Sequence, residues 1–497
     1  MKEIMKLQNG SDIRGIALPG VEGEAVNLDA YEAIAIGKAF VFWLSVKTGK
    51  AVFDMQICVG QDSRLSGDML KENLMKGICA MGAKVSDAGL ASTPAMFMAT
   101  VMPYYEFDGA IMITASHLPW NRNGFKFFTA EGGLNKEDIT YILKKAGKIL
   151  PVAEWHECDS VNLMQMYAAH LRMLIGQKAG GDLKGMKIVV DAGNGAGGFF
   201  ATEVLAKLGA DVSGSQFLEP DGHFPNHVPN PENKAAMASI CKRVTETGAD
   251  LGIIFDTDVD RSAAVLPDGT PVDRNHIVAM AAALEAPAHP GGTVVTDSIT
   301  SNELHVFLEQ ELGLRHLRFK RGYRNVINKA AELSQAGEDA FLAIETSGHA
   351  AFADNYFLDD GAYLAVLIVA MAARLKKEGK ALGDLIAGLA DPAAAAELRF
   401  ALTGEDFLAD GDRILAGMPD WVEATDGLAL ELPNYEGVRV NFDLPEGSGW
   451  FLLRKSLHDP NMPLNIEGTS GAAIDAVKAL LKGYLGQFDG IDLAPLA

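Results

Sequence analysis

The chain has 497 residues, which is enough for several domains. Hydrophobic residues make up 48% and charged residues 22%, an ordinary globular composition that excludes a disordered chain. The formal net charge of −22 would repel a polyanion, so we expect no nucleic-acid partner.

Cysteine usage and hydropathy bear on the compartment. The four cysteines include no pair spaced as in a zinc knuckle, and nothing suggests a disulfide framework. Residues 1–15 contain no apolar segment of the kind that signal peptides carry. The longest apolar run, at residues 362–375, is too short to span a bilayer and is expected to be a buried helix. We therefore predict a cytoplasmic protein with no membrane partner.

The first four-fifths of the chain alternate between two kinds of segment. Apolar, β-rich runs end in polar or glycine-rich loops, at residues 55–60, 109–113, 187–191, 251–255, 293–297 and 341–345. Segments with helical periodicity lie between them, such as residues 67–81, 199–208 and 235–247. This alternation predicts α/β units with largely parallel strands.

A weak internal repeat indicates that several of these units are related. Met81-Gly-Ala-Lys-Val85 and Leu208-Gly-Ala-Asp-Val212 both join the end of a helix to a strand. From about residue 398 the predicted strands become closely spaced and precede a last helix at residues 470–484. We predict three tandem related α/β domains with mixed, largely parallel sheets and a C-terminal α+β domain. The expected bounds are residues 1–164, 165–274, 275–398 and 399–497.

The loop after the strand at residues 109–113 is the first candidate site. Ligands of open α/β sheets bind beyond the carboxyl ends of strands, where this loop lies. It places Ser116 beside His117, with Arg122 and Lys126 downstream, so a nucleophile among phosphate-binding cations is one interpretation. The alternative is a serine that caps a helix in a polar turn.

An acidic segment after the strand at residues 251–255 is the second candidate site. In Phe255-Asp-Thr-Asp-Val-Asp-Arg261, the carboxylates of Asp256, Asp258 and Asp260 alternate and point to one side if the backbone is extended. Three such charges repel one another unless a cation or bulk water separates them. Oxygen ligands favour Mg²⁺, and the alternative is a solvated acidic turn.

Two further polar segments also follow predicted strands. Glu345-Thr-Ser-Gly-His349 offers groups that can hydrogen-bond sugar hydroxyls, although a capping turn would look the same. Arg454-Lys-Ser-Leu-His-Asp-Pro460 offers a guanidinium, an ammonium and a hydroxyl that could hold a phosphate, and the alternative is an ordinary polar loop.

A glycine-rich segment matches a different function. Gly193, Gly195 and Gly198 have the spacing of a dinucleotide-binding fingerprint, and Glu219 lies at a plausible acidic position. An NAD-dependent oxidoreductase is therefore one alternative. We favour a tight turn with close packing, because the other sites indicate phosphoryl chemistry.

Taken in order, these segments resemble the α-D-phosphohexomutase superfamily, which includes phosphoglucomutase and phosphomannomutase. Ser11-Asp-Ile-Arg-Gly15 and Gly60-Gln-Asp-Ser-Arg-Leu-Ser66 resemble two further motifs of that superfamily. The resemblance implies four domains that line a central cleft, and an intramolecular phosphotransferase that interconverts hexose 1-phosphate and hexose 6-phosphate. It also implies a phosphoserine, Mg²⁺ and a hexose 1,6-bisphosphate that is both intermediate and activator.

The resemblance also implies roles for individual residues. Ser116 would carry the phosphoryl group, with Arg261 beside it. His117 and Lys126 would transfer protons, helped by Arg14. The metal ligands would be Ser116 through its phosphate, Asp256, Asp258 and Asp260. The substrate would be held by Glu345, Ser347, His349, Arg454, Ser456 and His458.

Departures from the superfamily pattern fall where substrate is held. Leu118, Leu457 and His458 replace residues that are usual in the family. Glucose and mannose phosphates are the favoured substrates, with glucosamine and N-acetylglucosamine phosphates as alternatives. A metal-dependent sugar phosphatase and a non-catalytic sugar-phosphate binder also stay open. We expect small sugar phosphates as partners, and a monomer or weak dimer.

Overall fold

A computed structural model describes residues 3–154, 158–404, 406–456 and 460–496. The chain forms two compact units. Unit 1 comprises Met1–Glu285 and Ser347–Leu385, and unit 2 comprises Ala286–Thr346 and Ile386–Ala497. The domain boundaries expected at residues 164, 274 and 398 stay a prediction.

The first sheet of unit 1 positions the serine loop. Gln56–Gln61 lies between two parallel neighbours, Lys84–Leu90 and Gly109–Ile113. Arg122–Thr129 then runs antiparallel to Gly109–Ile113, and Asp12–Ile16 runs antiparallel to Arg122–Thr129. Short strands extend the sheet at Gln8–Asn9, Gly132–Gly133 and Asp159–Ser160. The helices of this part are Ala30–Thr48, Gly67–Ala80, Thr93–Val101 and Lys136–Ala146.

Two helices that cover this sheet pack closely because each carries a glycine at the contact. A Cβ on Gly37 would lie 2.4 Å from the carbonyl oxygen of Leu74, and one on Gly77 would lie 2.3 Å from that of Ile34. Any larger side chain would push the helices apart. The apolar core between the helices and the sheet is fully buried and includes Phe40.

The second sheet of unit 1 positions the acidic segment. Leu251–Phe255 pairs in parallel with Ile188–Asp191 and antiparallel with Ser262–Val265, which pairs antiparallel with Pro271–Val272. The helices around it are Leu163–Ala179, Lys234–Thr247, Arg274–Glu285 and Gly361–Lys377. A hairpin of Ala350–Phe352 and Leu358–Asp359 completes unit 1. The helix predicted from the apolar run at residues 362–375 is confirmed.

Unit 2 contains a parallel and an antiparallel sheet. Thr293–Thr296 pairs in parallel with Arg315–Arg318 and Ala340–Ile344. The antiparallel strands follow the order Ala394–Ala401, Asn461–Gly468, Gly447–Leu453, Val438–Leu444 and Leu428–Leu430. The helices are Asn302–Val306, which continues as a π-helical stretch at Phe307–Glu311, Tyr323–Gln335, Phe407–Glu423 and Gly471–Leu485. The predicted fold class is confirmed: mixed α/β sheets precede a C-terminal domain rich in antiparallel strands.

One predicted helix differs from the structure. Residues 199–208 were expected to be α-helical, but Phe200–Leu205 is a π-helical stretch and Ala206–Leu208 is a 3-10 turn. The spacing of apolar residues shows which face of a helix is buried. It does not show whether the backbone hydrogen bonds have the α, π or 3-10 pattern. Other 3-10 turns lie at Ile4–Leu7, Val52–Asp54, Ala286–Ala288, Ala353–Asn355, Leu382–Ile386 and Ala494–Leu496.

The length and hydropathy of the helices bear on whether the chain could cross a membrane. Across the described ranges, none combines the length and the apolar character that a membrane crossing requires.

Candidate active site

The serine loop leaves the sheet at the carboxyl end of Gly109–Ile113, as predicted. Ser116 has a positive φ of 51°, a conformation that L residues rarely adopt and that often marks functional sites. Its backbone N–H donates to Oγ1 of Thr114 at 2.9 Å, which stabilises the tight turn. Only 9% of Ser116 is exposed, so its hydroxyl lies in a sheltered position.

A buried arginine holds this loop in place. Arg64 is 2% exposed and forms an ion pair with Asp62, whose Oδ2 lies 3.4 Å from the Arg64 Nε. Its two terminal nitrogens donate to backbone carbonyls of the serine loop, those of Ser116, Leu118, Pro119 and Arg122. One guanidinium therefore fixes the backbone on both sides of His117.

The acidic segment forms a tight turn beyond Leu251–Phe255. Asp256, Asp258 and Asp260 are all fully buried, and each contributes an oxygen within 4.8 Å of the others. Val259 has a φ of 69°, which lets the backbone turn between the second and third carboxylates. The predicted acidic cluster is therefore real, and it is not a solvated turn.

Ser116 and the acidic turn meet, although they follow different sheets. The Ser116 hydroxyl donates to Oδ2 of Asp256 at 3.0 Å. Nη2 of Arg261 donates to Ser116 Oγ at 2.6 Å and to the same Asp256 oxygen at 2.8 Å. The hydroxyl is therefore held between a carboxylate and a guanidinium.

Arg261 is itself held by its neighbours. Its Nε donates to Oδ2 of Asp256 at 3.1 Å, and its Nη1 donates to Oδ1 of Asn230 at 3.2 Å. Nη2 also donates to Nδ1 of His117 at 2.7 Å. Because an arginine can only donate, that imidazole nitrogen is an acceptor here.

The remaining carboxylates have cationic and hydroxyl partners. Nζ of Lys126 forms a very short contact with Oδ2 of Asp260 and lies 3.4 Å from Oδ2 of Asp258. Oγ1 of Thr93 donates to Oδ2 of Asp258 at 2.5 Å. Burial and the charge of Asp260 raise the pKa of Asp256 well above its usual value.

The donor set fits a hard divalent cation. Oδ1 of Asp258 and Oδ1 of Asp260 are buried, and neither has a hydrogen-bond partner among the described residues. Such carboxylate oxygens are costly to bury unless a cation neutralises them. All the acidic donors of this cluster are oxygens, which suits Mg²⁺ better than a softer metal.

His349 lies beside the acidic cluster. Its Nδ1 is 2.6 Å from Oδ2 of Asp359 and 3.8 Å from Oδ1 of Asp260. Burial lowers the pKa of His349, but the two carboxylates outweigh burial and raise it to about 9. The structure thus brings this predicted residue of the sugar segment to the acidic turn.

His117 and Arg14 lie on the other side of Ser116. Nδ1 of His117 is 3.3 Å from Ser116 Oγ. Although His117 is exposed as a whole, desolvation of its ring and the positive charge of Arg261 lower the pKa of His117 to about 3, so its imidazole is neutral at pH 7. Arg14 donates through Nη1 to the Thr114 carbonyl and forms an ion pair with Asp12 at 2.8 Å.

The other predicted residues of the sugar segment fall in different units. Glu345 follows Ala340–Ile344 in unit 2, is 5% exposed, and accepts the Gly322 N–H at 2.7 Å through Oε1. Ser347, also buried, begins the second segment of unit 1.

The predicted phosphate segment follows Gly447–Leu453 in unit 2. Arg454 is 7% exposed, and its Nε has no hydrogen-bond partner within the described part of the chain. Ser456 lies two residues further on and donates its N–H to the Asn461 carbonyl at 2.9 Å. His458 lies outside the described residues.

Comparison with known proteins decides the family. Models of phosphoglucomutase/phosphomannomutase α/β/α domains I, II and III match residues 5–149, 165–269 and 273–392. A phosphomannomutase/phosphoglucomutase of Pseudomonas putida is 31% identical over 476 residues, which cover 96% of this chain and 95% of the relative.

The chain belongs to the α-D-phosphohexomutase superfamily. It is an isomerase of the phosphohexomutase type, as the motif order predicted. A solved phosphoglucomutase/phosphomannomutase family protein of Burkholderia thailandensis is 27% identical, covers 96% of each chain and superposes with a TM-score of 0.75. Parafusin, a phosphoglucomutase of Paramecium, superposes with a TM-score of 0.72 at 16% identity, covering 97% of this chain and 95% of its own, and supports the fold alone.

In this phosphohexomutase the glycine-rich segment supports the acidic turn. A Cβ on Gly195 would lie 2.6 Å from the Thr257 carbonyl oxygen, and Ala196 donates its N–H to that oxygen at 2.8 Å. The glycines therefore allow two loops to pack backbone against backbone. This agrees with the tight turn and close packing that we expected for these glycines from the sequence.

Several residues of the phosphohexomutase site were not predicted from the sequence. Arg64 lies in a segment that resembled a family motif, but nothing in that motif shows that its side chain binds loop carbonyls. Thr93, the first residue of the helix Thr93–Val101, binds Asp258 from 165 positions away, and Asn230, in a loop, binds Arg261 from 31 positions away. Only the fold reveals these contacts.

Proposed function

We propose that this phosphohexomutase interconverts the 1-phosphate and 6-phosphate of glucose, mannose or both. A phosphoryl group on Ser116 would pass to the free hydroxyl of the substrate, forming a 1,6-bisphosphate. After the intermediate turns round, Ser116 would accept the other phosphoryl group. The observation that carries this proposal is the position of Ser116 Oγ between Asp256 and Arg261.

The charges around Ser116 suit phosphoryl transfer. In the first step the bond between phosphorus and Ser116 Oγ breaks while a bond to the sugar oxygen forms; a basic group of the site takes the proton of the sugar hydroxyl, and the released Ser116 oxygen gains a proton. Catalysis of such transfers comes mainly from positioning and from stabilising charge. Arg261 already donates to Ser116 Oγ at 2.6 Å, so it stabilises negative charge as it develops on that oxygen.

We assign the proton transfers to His117 and Lys126. The His117 imidazole is neutral at pH 7 and lies 3.3 Å from Ser116 Oγ, so it can accept a proton there. Lys126 carries an ammonium between two carboxylates and can donate one. Arg14 supports the loop through the Thr114 carbonyl.

We propose Mg²⁺ as the metal. Asp256, Asp258 and Asp260 would hold it, with an oxygen of phosphorylated Ser116 as a further ligand. When bound, Mg²⁺ offsets negative charge on the phosphoryl group. The two buried carboxylate oxygens without hydrogen-bond partners among the described residues support this assignment.

The substrate would be held at two ends. We propose that the hydroxyl groups of the sugar bind to Glu345, Ser347 and His349. We propose that the phosphate that is not reacting binds to Arg454, Ser456 and His458. Burial of the Arg454 guanidinium supports the second assignment, because a buried cation gains from an anionic ligand. A hexose 1,6-bisphosphate would act as activator by phosphorylating Ser116.

The proposal is tested by incubating the protein with Mg²⁺, a trace of glucose 1,6-bisphosphate and each candidate sugar 1-phosphate. Formation of glucose 6-phosphate or mannose 6-phosphate is expected. Release of inorganic phosphate instead would identify a phosphatase. Binding without turnover would identify a non-catalytic binder. Ser116→Ala should be inactive, while Ser334→Ala, an exposed helical serine, serves as the control.

Glucosamine phosphate is the second candidate substrate. A phosphoglucosamine mutase of Acetivibrio thermocellus is 32% identical over 378 residues, which cover 74% of this chain and 79% of the relative. The same assay with glucosamine 1-phosphate and N-acetylglucosamine 1-phosphate separates these substrates from glucose and mannose.

We also propose that the enzyme acts in the cytoplasm on small sugar phosphates, as a monomer or weak dimer. Its four cysteines are all free thiols in the structure, which supports a reducing compartment. Size-exclusion chromatography with light scattering would test the oligomeric state.

A further inference from the structure

A short loop of unit 2 brings a second arginine toward the predicted phosphate segment. Residues 319–322, which include Arg321 and Gly322, connect Arg315–Arg318 to the helix Tyr323–Gln335. The Gly322 N–H donates to Oε1 of Glu345 at 2.7 Å, and the Arg321 N–H donates to Oε2 of Glu436 at 3.1 Å. The backbone of this loop is therefore held between two carboxylates.

The second of these carboxylates links the loop to Arg454. Gly437, the residue after Glu436, has a φ of 57° and packs directly on Arg454. A Cβ at Gly437 would lie 2.7 Å from the Cβ of Arg454. Glu436 and Gly437 thus contact Arg321 on one side and Arg454 on the other.

The side chains of the two arginines differ in their surroundings. The Arg321 side chain is 28% exposed and forms an ion pair with Asp297, whose Oδ2 lies 3.5 Å from the Arg321 Nε. Arg454 is almost fully buried, and its Nε lacks a hydrogen-bond partner among the described residues. Burial and the nearby charge of Arg321 lower the pKa of Arg454, and the carboxylates of Glu436 and Asp297 partly offset this effect.

We propose that Arg321 binds, together with Arg454, the phosphate of the substrate that is not reacting. This inference rests on the proposed function. Two neighbouring guanidinium groups repel each other, and a phosphate dianion placed between them would turn that repulsion into attraction. Guanidinium groups also bind phosphate oxygens through paired hydrogen bonds, which a lysine cannot reproduce.

The same loop also contacts the proposed sugar-binding carboxylate. Gly322, the residue after Arg321, donates its backbone N–H to Oε1 of Glu345 at 2.7 Å, so the loop lies next to both proposed subsites. Arg321 is therefore a specificity-determining residue for phosphorylated sugars. The competing interpretation is that Arg321 only stabilises buried Asp297.

Binding provides the first test, and it does not depend on turnover. Calorimetry with glucose 6-phosphate compares the wild type with Arg321→Gln, and with Arg315→Gln as control. Arg315 is an exposed arginine of the strand that precedes the loop. Arg321→Gln should weaken binding at least about tenfold, Arg321→Lys less, and Arg315→Gln hardly at all. Equal affinity of the wild type and Arg321→Gln would overturn the proposal.

Transfer from the phosphorylated enzyme provides the second test. Enzyme phosphorylated on Ser116 is mixed with glucose 1-phosphate or with glucose, and loss of the phosphoryl group is followed by intact mass. Arg321→Gln should slow transfer to subsaturating glucose 1-phosphate at least about tenfold and leave the slower transfer to glucose unchanged. Equal slowing with both acceptors would indicate a structural role and overturn the inference.

The two tests separate failure of the inference from failure of the proposed function. A wild type that binds glucose 6-phosphate through Arg321 but converts no sugar phosphate would contradict the mutase while supporting the inference. An active mutase whose affinity and transfer rates do not change in Arg321→Gln would contradict the inference alone. If Arg321→Gln does not fold, Arg321→Lys replaces it, with a smaller loss of affinity expected, and an affinity equal to that of the wild type would overturn the inference.

Discussion

Ser116 Oγ lies 3.0 Å from Oδ2 of Asp256, although the two residues are 140 positions apart. The contact joins a strained loop of the first sheet to an acidic turn of the second. Neither segment is a catalytic centre by itself, because the serine lacks an anion-stabilising neighbour and the carboxylates lack a group to transfer. Their meeting supplies both, and it leads to the predictions below.

The first prediction concerns the metal-binding turn. Asp258→Asn should reduce kcat at least about 100-fold, because it removes one of three buried carboxylate ligands. Mg²⁺ should raise the Tm of the wild type, and this effect should be weaker in the variant, since a ligand stabilises the state that binds it. Asp268→Asn, in an exposed turn, is the control. Full activity of the wild type after EDTA treatment would contradict the assignment.

The second prediction concerns the arginine that holds the serine loop. Arg64→Ala should lower the free energy of unfolding by about 3–5 kcal/mol, because Asp62 would keep a buried charge without its partner. It should also nearly abolish activity, since the Ser116 backbone loses its support. Urea unfolding and kcat are the measurements, with exposed Arg413→Ala as control. A stable, fully active Arg64→Ala would show that the loop holds its shape without the arginine.

The third prediction concerns the orientation of Arg261. Asn230→Ala should lower kcat about tenfold with little change in KM, because Arg261 loses the acceptor for its Nη1. Asn230→Asp keeps an acceptor and should retain more activity. Asn226→Ala, in the same loop, removes an amide that donates to Asn194 and serves as control. A rise in KM alone would instead place Asn230 in substrate binding.

The fourth prediction concerns pH and stability in the C-terminal domain. Burial raises the pKa of Glu467 to about 7, although Trp450 Nε1 donates to its carboxylate at 2.9 Å. The folded state therefore binds this proton more tightly than the unfolded state does. The contribution to stability is complete below the unfolded pKa, near 4.5, and is lost as pH rises through about 7.

Glu467→Gln removes that titration and keeps an acceptor for the tryptophan. At pH 8 the variant should be more stable than the wild type by about 1–3 kcal/mol, and at pH 4.5 the two should be nearly equal. Exposed Glu446→Gln is the control. Urea unfolding across this pH range would refute the prediction if both proteins showed the same dependence.

Much of the site could be predicted because the ends of the strands can be recognised in the sequence. The apolar strand before Asp256 and the one before Thr114 are followed at once by chemistry-bearing residues, and hydropathy patterning shows where each strand ends. That Ser116 and Asp256 would meet was implied only by the family resemblance. Strand order and loop packing decide whether these two residues meet, and neither can be read from the residues around them in the sequence.

The contacts that escaped prediction share a physical cause. Arg64 donates to backbone carbonyls, and every residue has a carbonyl, so the sequence carries no signature of the acceptor. Arg321 depends on a loop backbone held by Glu345 and Glu436 from distant parts of the chain. The glycine-rich segment left two interpretations open for a related reason, since close backbone packing and pyrophosphate binding both require glycine.

The central claim is that Ser116 carries the phosphoryl group, and intact mass tests it most directly. The protein is incubated with Mg²⁺ and glucose 1,6-bisphosphate, freed of small molecules, weighed, and digested to locate the modification. We expect a gain of one phosphoryl group on Ser116 that disappears on adding glucose 1-phosphate. A stable phosphoryl group on another residue, or turnover of sugar phosphates by Ser116→Ala, would contradict it.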